Sequence, residues 1–187
     1  MKKLVLLALC LTVYVGIAQT PQDVSNQPTL IKNQNNLSQE TIKGMVLRVQ
    51  EQVTQLANAF DEKQYDWRPS EGVRSVRESI LHIAVANYFL ASKLGHPAPE
   101  NIDFMTMEQK ITGKENVLAA LKASNDFIAD VISKEPTQTL AEEVDFGFAK
   151  FNRLAGLLVI LEHAGEHKGQ LIAYARSNGV TPPWSLQ

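Results

Sequence analysis

His163 and His167, separated by Ala164-Gly165-Glu166, are the residues of this chain whose type and spacing could do chemistry. Side chains four apart on a helix lie one above the other, so both imidazoles can address a single point, which is metal-ligand spacing. The apolar residues Leu157, Ile160, Leu161, Ala164, Leu171 and Tyr174 recur at helical intervals around them. They predict a helix from about Asn152 to Asn178 with both histidines in its buried stripe. Imidazoles buried side by side need partners for their donors and acceptors, and one cation satisfies a nitrogen on each ring. Two histidines hydrogen-bonded to other side chains fit the same spacing, so spacing alone leaves both readings open.

Three further helices must position this one. Ile42, Val46, Val49, Val53, Leu56 and Phe60 form one face of a first helix, with Ser38 as its predicted N-cap and Glu40 in its first turn. Tyr65 to Gly72 is a loop by its proline and glycine, and Tyr65 and Trp67 within it are expected to pack at the end of the domain. Ser75-Val76-Arg77-Glu78 is a capping box that opens a second helix to about Leu94, with Val76, Ile80, Ile83, Asn87, Leu90 and Leu94 inward. His82 falls on a flank of that stripe with Ser79, Ala86 and Phe89, where a helix with two neighbours still faces inward. Thr112-Gly113-Lys114-Glu115 repeats the capping-box pattern and predicts a third helix to about Lys134, carrying Val117, Leu121, Ser124, Ile128 and Val131 on one face. Between helices two and three, His96-Pro97 lies in a long link and is read as surface. Val144 to Phe148 alternates briefly, as an extended segment would. Four amphipathic helices predict an all-α four-helix bundle, and the long second link permits helices two and three to run parallel.

The N-terminus carries a different signal. Met1-Lys2-Lys3 followed by the apolar run Leu4 to Ala18 matches a secretory signal peptide, residues 1–18, cleaved after Gly16-Ile17-Ala18. The run is short for a membrane span and no stop-transfer pattern follows it, so no stable membrane insertion is expected after cleavage. Cys10 is preceded by Leu9 rather than a small residue, which argues against lipoprotein processing. It is the only cysteine, so its removal leaves neither a disulfide nor a thiol nucleophile. Residues 19–37 are amide-rich and aperiodic, a flexible leader before one domain over 38–187. The net charge of −2 becomes more acidic once Lys2 and Lys3 are lost, and no basic patch stands out. That composition lacks the footprint of a nucleic-acid binder.

With the helices placed, the sequence resembles the DinB-like superfamily of small bacterial four-helix bundles. The match is carried by Arg74 to His82, by His163 to Leu171, and by Tyr174-Ala175-Arg176-Ser177-Asn178-Gly179-Val180-Thr181-Pro182-Pro183. The resemblance implies an up-down-down-up bundle and a divalent metal held by His82, His163 and His167. It also implies a homodimer. The family often has histidine and arginine where this chain has Glu166 and Lys168, which spares the ligands.

Three neutral histidines leave open positions for water or a small-molecule substrate, the ligand set of a catalytic rather than a closed structural site. Zinc and nickel both suit imidazole ligands. The implied activities are metal-dependent hydrolysis, with activated water and an unassigned substrate, and thiol-dependent S-transfer. Export weakens the second, because low-molecular-weight thiol cofactors are cytosolic. A non-catalytic metal-binding or scaffolding bundle is the alternative. His163-Ala164-Gly165-Glu166-His167 also fits the H-x-x-E-H string of inverted zinc proteases, but too little chain follows for their distant third ligand. A solvated helix glutamate accounts for Glu166 more simply than a base does.

Overall fold

The periodic apolar residues become the inward faces of four long helices: α1 (Leu37–Ala59), α2 (Val76–Lys93), α3 (Lys114–Lys134) and α4 (Arg153–Ser177). The computed structural model describes residues 36–186. The signal peptide and nearly all of the leader lie outside the described residues. No described helix is long and apolar enough to cross a membrane.

Each helix packs on two others, α1 and α2 both lying against α3 and α4. Side-chain bonds give the directions. Asn87 in mid-α2 donates to Ser124 and Asn125 in mid-α3, and Arg77 at the start of α2 donates to the carbonyls of Glu108 and Ile111 just before α3. Helices α2 and α3 therefore run parallel. Lys168 Nζ likewise reaches Gln52 Oε1 across equivalent turns of α4 and α1. Against α1, α3 runs the other way, since Lys114 Nζ at its start donates to the Asn58 and Phe60 carbonyls that end α1. The bundle is up-down-down-up, with the α2–α3 crossover made by residues 94–113. A single helical turn, Met107–Lys110, lies within that crossover.

Among the described residues two large apolar clusters fill the interior, beside a smaller one of Ala84, Tyr88 and Met107. One of the two holds Phe60, Tyr65, Val76, Ile80 and Leu121, with Trp67 and Trp184 packed on it, so the loop aromatics close the end of the bundle as expected. The other holds Ile42, Leu90, Ile128, Phe146 and Leu157. Local signals explain most helix boundaries. Ser75 Oγ accepts from the Glu78 amide at 3.2 Å while Glu78 Oε2 accepts from the Ser75 amide at 2.7 Å, a complete capping box. Asn178 and Gly179, the latter at φ +71°, close α4.

Two predicted caps are not formed. Helix α1 begins at Leu37 after Asn36, so Ser38 is already helical and exposed. Helix α3 begins at Lys114 after Gly113, whose φ of +80° places Thr112 outside the capping position. The Lys114 amide is taken by the Glu62 carboxylate instead, at 3.1 and 3.3 Å. A partner 52 residues away has displaced the local one.

The alternation near Val144 is a hairpin, β1 (Glu143–Asp145) antiparallel to β2 (Lys150–Asn152), with Val144 opposite Phe151. Its turn requires Gly147 at φ +87° and drives Phe146, fully buried, onto α4 at Gly156. A Cβ at Gly156 would collide with the Phe146 ring. Gly156→Ala is therefore expected to lower stability by about 1–3 kcal/mol through overpacking, despite alanine's better helix propensity. Urea unfolding reads the effect, and an unchanged or raised midpoint would mean that the hairpin does not press on the helix.

Candidate metal centre

The flank of α2 that carries His82 does face inward: Ser79 and Ala86 on it are buried and His82 is half-buried. Because α4 runs antiparallel to α2, His163 and His167 on consecutive turns of α4 meet it from across the helix pair. Both are half-buried, so they lie at the edge of the α4 stripe rather than inside it as the periodicity predicted. His163 Nε2 lies 3.3 Å from His82 Nε2, and the ring centroids of the three are 4.5 to 5.1 Å apart. One nitrogen from each ring falls within a span of 4.8 Å. The three histidines that the sequence singled out therefore come together and could hold one metal ion.

Proton positions test whether the donors fit a cation. His82 Nδ1 lies 2.7 Å from Glu108 Oε1. Burial draws the Glu108 carboxyl upward, but bonds from Arg74 and His82 outweigh it and hold the group below the usual carboxylate range. Burial also dominates at His82 and lowers it despite Glu108, so the pair is a neutral imidazole donating Nδ1–H to a carboxylate. On the other side, Tyr174 Oη donates to the Arg74 carbonyl at 3.2 Å and accepts from Gln170 Nε2 at 2.8 Å. That orients Gln170 Oε1 toward His167 Nδ1, 2.8 Å away, which must donate. With Nδ1 engaged on both rings, Nε2 is the nitrogen that His82 and His167 can offer to a cation. His163 is pushed down to about 4, by burial first and then by His167, His82 and Arg74, and is neutral as well. Two Nε2 atoms at 3.3 Å share either one proton or one cation. The donor set fits a metal ion, with outer hydrogen bonds of the kind that orient ligating histidines.

Sequence reasoning missed Glu108 and Gln170. Gln170 stands three residues from His167, a local spacing visible in principle. Glu108 sits on the crossover, 26 residues from His82, where only the tertiary path of Met107–Lys110 brings it in. Arg74 secures it at 2.9 Å. Glu166, by contrast, is exposed, which removes it as a base beside the histidines. Lys168 contributes structure through Gln52. His96 is not the free surface residue predicted: its Nε2 lies 2.8 Å from the buried Glu135 carboxylate.

Losing an outer partner of this kind costs about 10–100-fold in metal affinity. Glu108→Ala is expected to show that loss in competition with a chromophoric chelator, and Glu166→Ala to show none. Equal affinities for the two variants would remove Glu108 from any role in orienting His82.

The family model for the DinB superfamily matches residues 45–171. The uncharacterised protein YjoA of Bacillus subtilis strain 168 is 26% identical over 132 residues, which cover 68% of this chain and 82% of YjoA. Among solved structures, a DinB-like protein from Bacillus cereus ATCC 10987 superposes with a TM-score of 0.63 at 17% identity, covering 72% of this chain and 89% of that one. The YjoA structure superposes with a TM-score of 0.60 at 22% identity, over 75% and 93%. A conserved protein from Enterococcus faecalis gives 0.61 at 16% identity, over 73% and 94%. At these identities the structures establish the fold alone.

Proposed function

The chain belongs to the DinB superfamily, and from that premise we propose that it is an exported metal-dependent enzyme of hydrolytic type, its zinc or nickel ion held by His82, His163 and His167. The observation that supports this reading is the convergence of three imidazoles from two antiparallel helices, two of them held through Nδ1 by Glu108 and Gln170. When bound, the ion would polarise a carbonyl and acidify water toward neutral pH. The chain's own groups do the rest. His82 and His167 present Nε2, Glu108 and Gln170 prevent the rings from turning, and the half-buried setting limits water around them.

Elemental analysis of the purified protein tests the reading, with one divalent ion expected per chain and none in His163→Ala. Turnover of a panel of simple esters and amides by the loaded protein tests the hydrolytic part. One observation favours a second reading. Glu108, the carboxylate bonded to His82, is also held by Arg74, and a group so tied is a poor proton carrier. A stoichiometric ion with no turnover across the panel would favour a non-catalytic metal-binding bundle.

Export rests on Lys2-Lys3 and the Leu4 to Ala18 run. N-terminal sequencing of the native protein is expected to begin near Gln19, and recovery of intact Met1 from the cytoplasm would remove export from the proposal.

A further inference from the structure

The three imidazoles lie between two unlike surfaces. On one side a polar recess is lined by Arg74, Glu108 and Gln170, the same residues that orient His82 and His167. On the other, His82 and His163 line a cavity of about 290 Å³ whose remaining surface is almost wholly carbon. Val85 and Phe89 of α2 and Val159 of α4 form its walls. Two further lining residues, Met105 and Phe148, arrive from separate elements: Met105 from the α2–α3 crossover and Phe148 from the tip of the hairpin. They are 67% and 61% exposed, although large apolar side chains gain by burial. The Phe148 ring rests against Phe146 and Phe151, with centroids 6.1 and 6.0 Å away.

A small, largely apolar cavity that ends on a few convergent polar groups is the usual form of a small-molecule site, in which the polar groups fix orientation and the walls select the apolar part. The volume is about twice the roughly 150 Å³ of an apolar cavity that takes one benzene ring. Resting on the metal-dependent reading above, we infer that the substrate is an amphipathic small molecule. Its alkyl or aryl group fills this cavity, and its hydrolysable polar group lies over the imidazoles toward Arg74 and Gln170. Sugars, polar over their whole surface, fit the cavity poorly.

Straight-chain hydroxamates test this, because their oxygens take a bound metal while the tail varies. From acetohydroxamate to hexanohydroxamate, affinity for the zinc- or nickel-loaded protein is expected to rise up to about fourfold per added methylene. Phe148→Ser, which removes one lining side chain, should reduce that increment. Val159→Trp, which fills the cavity, should abolish it. A second readout needs no metal. In metal-free protein, 1-hexanol should shift the methyl resonances of Val85 and Val159 saturably and leave those of the core residue Val117 in place. Acetohydroxamate binding without any chain-length increment, with Val85 and Val159 unmoved by hexanol, would overturn the inference and leave the metal reading standing. Failure to load metal, with the hexanol shifts present, would remove the metal reading and retain the cavity as an apolar ligand site. Shifts at the same methyls on raising protein concentration alone would mean that a second copy covers the cavity, and would also overturn it.

Discussion

Glu135→Ala is expected to destabilise the protein by about 3–5 kcal/mol, the largest loss of any single substitution considered for the fold. The Glu135 side chain is fully buried. Its oxygens accept from Arg153 Nε at 2.7 Å, Arg153 Nη2 at 2.9 Å and His96 Nε2 at 2.8 Å. The same Nη2 donates to the Leu94 carbonyl at 2.5 Å, and the Glu135 carbonyl accepts from Gln39 at 3.2 Å. The ends of α2 and α3 and the starts of α1 and α4 are thus tied at one point. Removing the carboxylate leaves the Arg153 guanidinium, 17% exposed, without the acceptor of two of its hydrogen bonds, and only the more distant charge of Glu142 remains. The exposed pairs Lys122–Asp126 and Lys134–Asp130 are worth no more than about 0.5 kcal/mol by comparison. Burial draws the Glu135 carboxyl up, but Arg153 and His96 outweigh it and hold the group below the usual range. Its contribution is therefore present above the unfolded glutamate value of about 4.3 and is lost as pH falls through the lower folded value. Urea unfolding of Glu135→Ala with a loss below about 1 kcal/mol would mean that the cluster is not coupled in this way.

This cluster also marks what the sequence could not disclose. The four helices were legible because each buries one stripe, and a stripe is written in the order of residues. Ser75 and Glu78 announced α2 for the same reason, since both halves of the capping box lie within one turn. At Thr112 the same string failed, because Gly113 turned the chain away and Glu62 supplied the acceptor from across the bundle. His96 was misread by that logic too. A histidine before proline in a link reads as surface until Glu135, 39 residues on, arrives beneath it. In the site, the α4 pair was visible from spacing, whereas His82 needed the family resemblance to join it from a flank. Glu108 was visible to neither, because its role depends on where a crossover turn comes to rest.

Removal of metal by chelation is expected to lower the melting temperature of the loaded protein by roughly 5–10 °C. An ion that binds the folded state alone, at about a hundred times its dissociation constant, adds roughly 2.7 kcal/mol. Each kcal/mol moves the midpoint of a domain this size by about 2–4 °C. His82→Ala, His163→Ala and His167→Ala should each abolish both the bound ion and the response to chelator, since each removes one of three converging nitrogens. Acid should act in the same direction. His163 is pushed down to about 4 in the fold, below the value of about 6.5 of an unfolded histidine, so the unfolded chain takes up that proton first. The metal-free protein therefore keeps this contribution above pH 6.5 and loses it as pH falls from about 6.5 to 4. The loaded protein should fall more steeply across the same window, because each ligand must be unprotonated to bind. If chelator leaves the melting curve in place, and the three alanine variants melt like the wild type at every pH in that window, the imidazoles are not ligands of an ion that supports this fold.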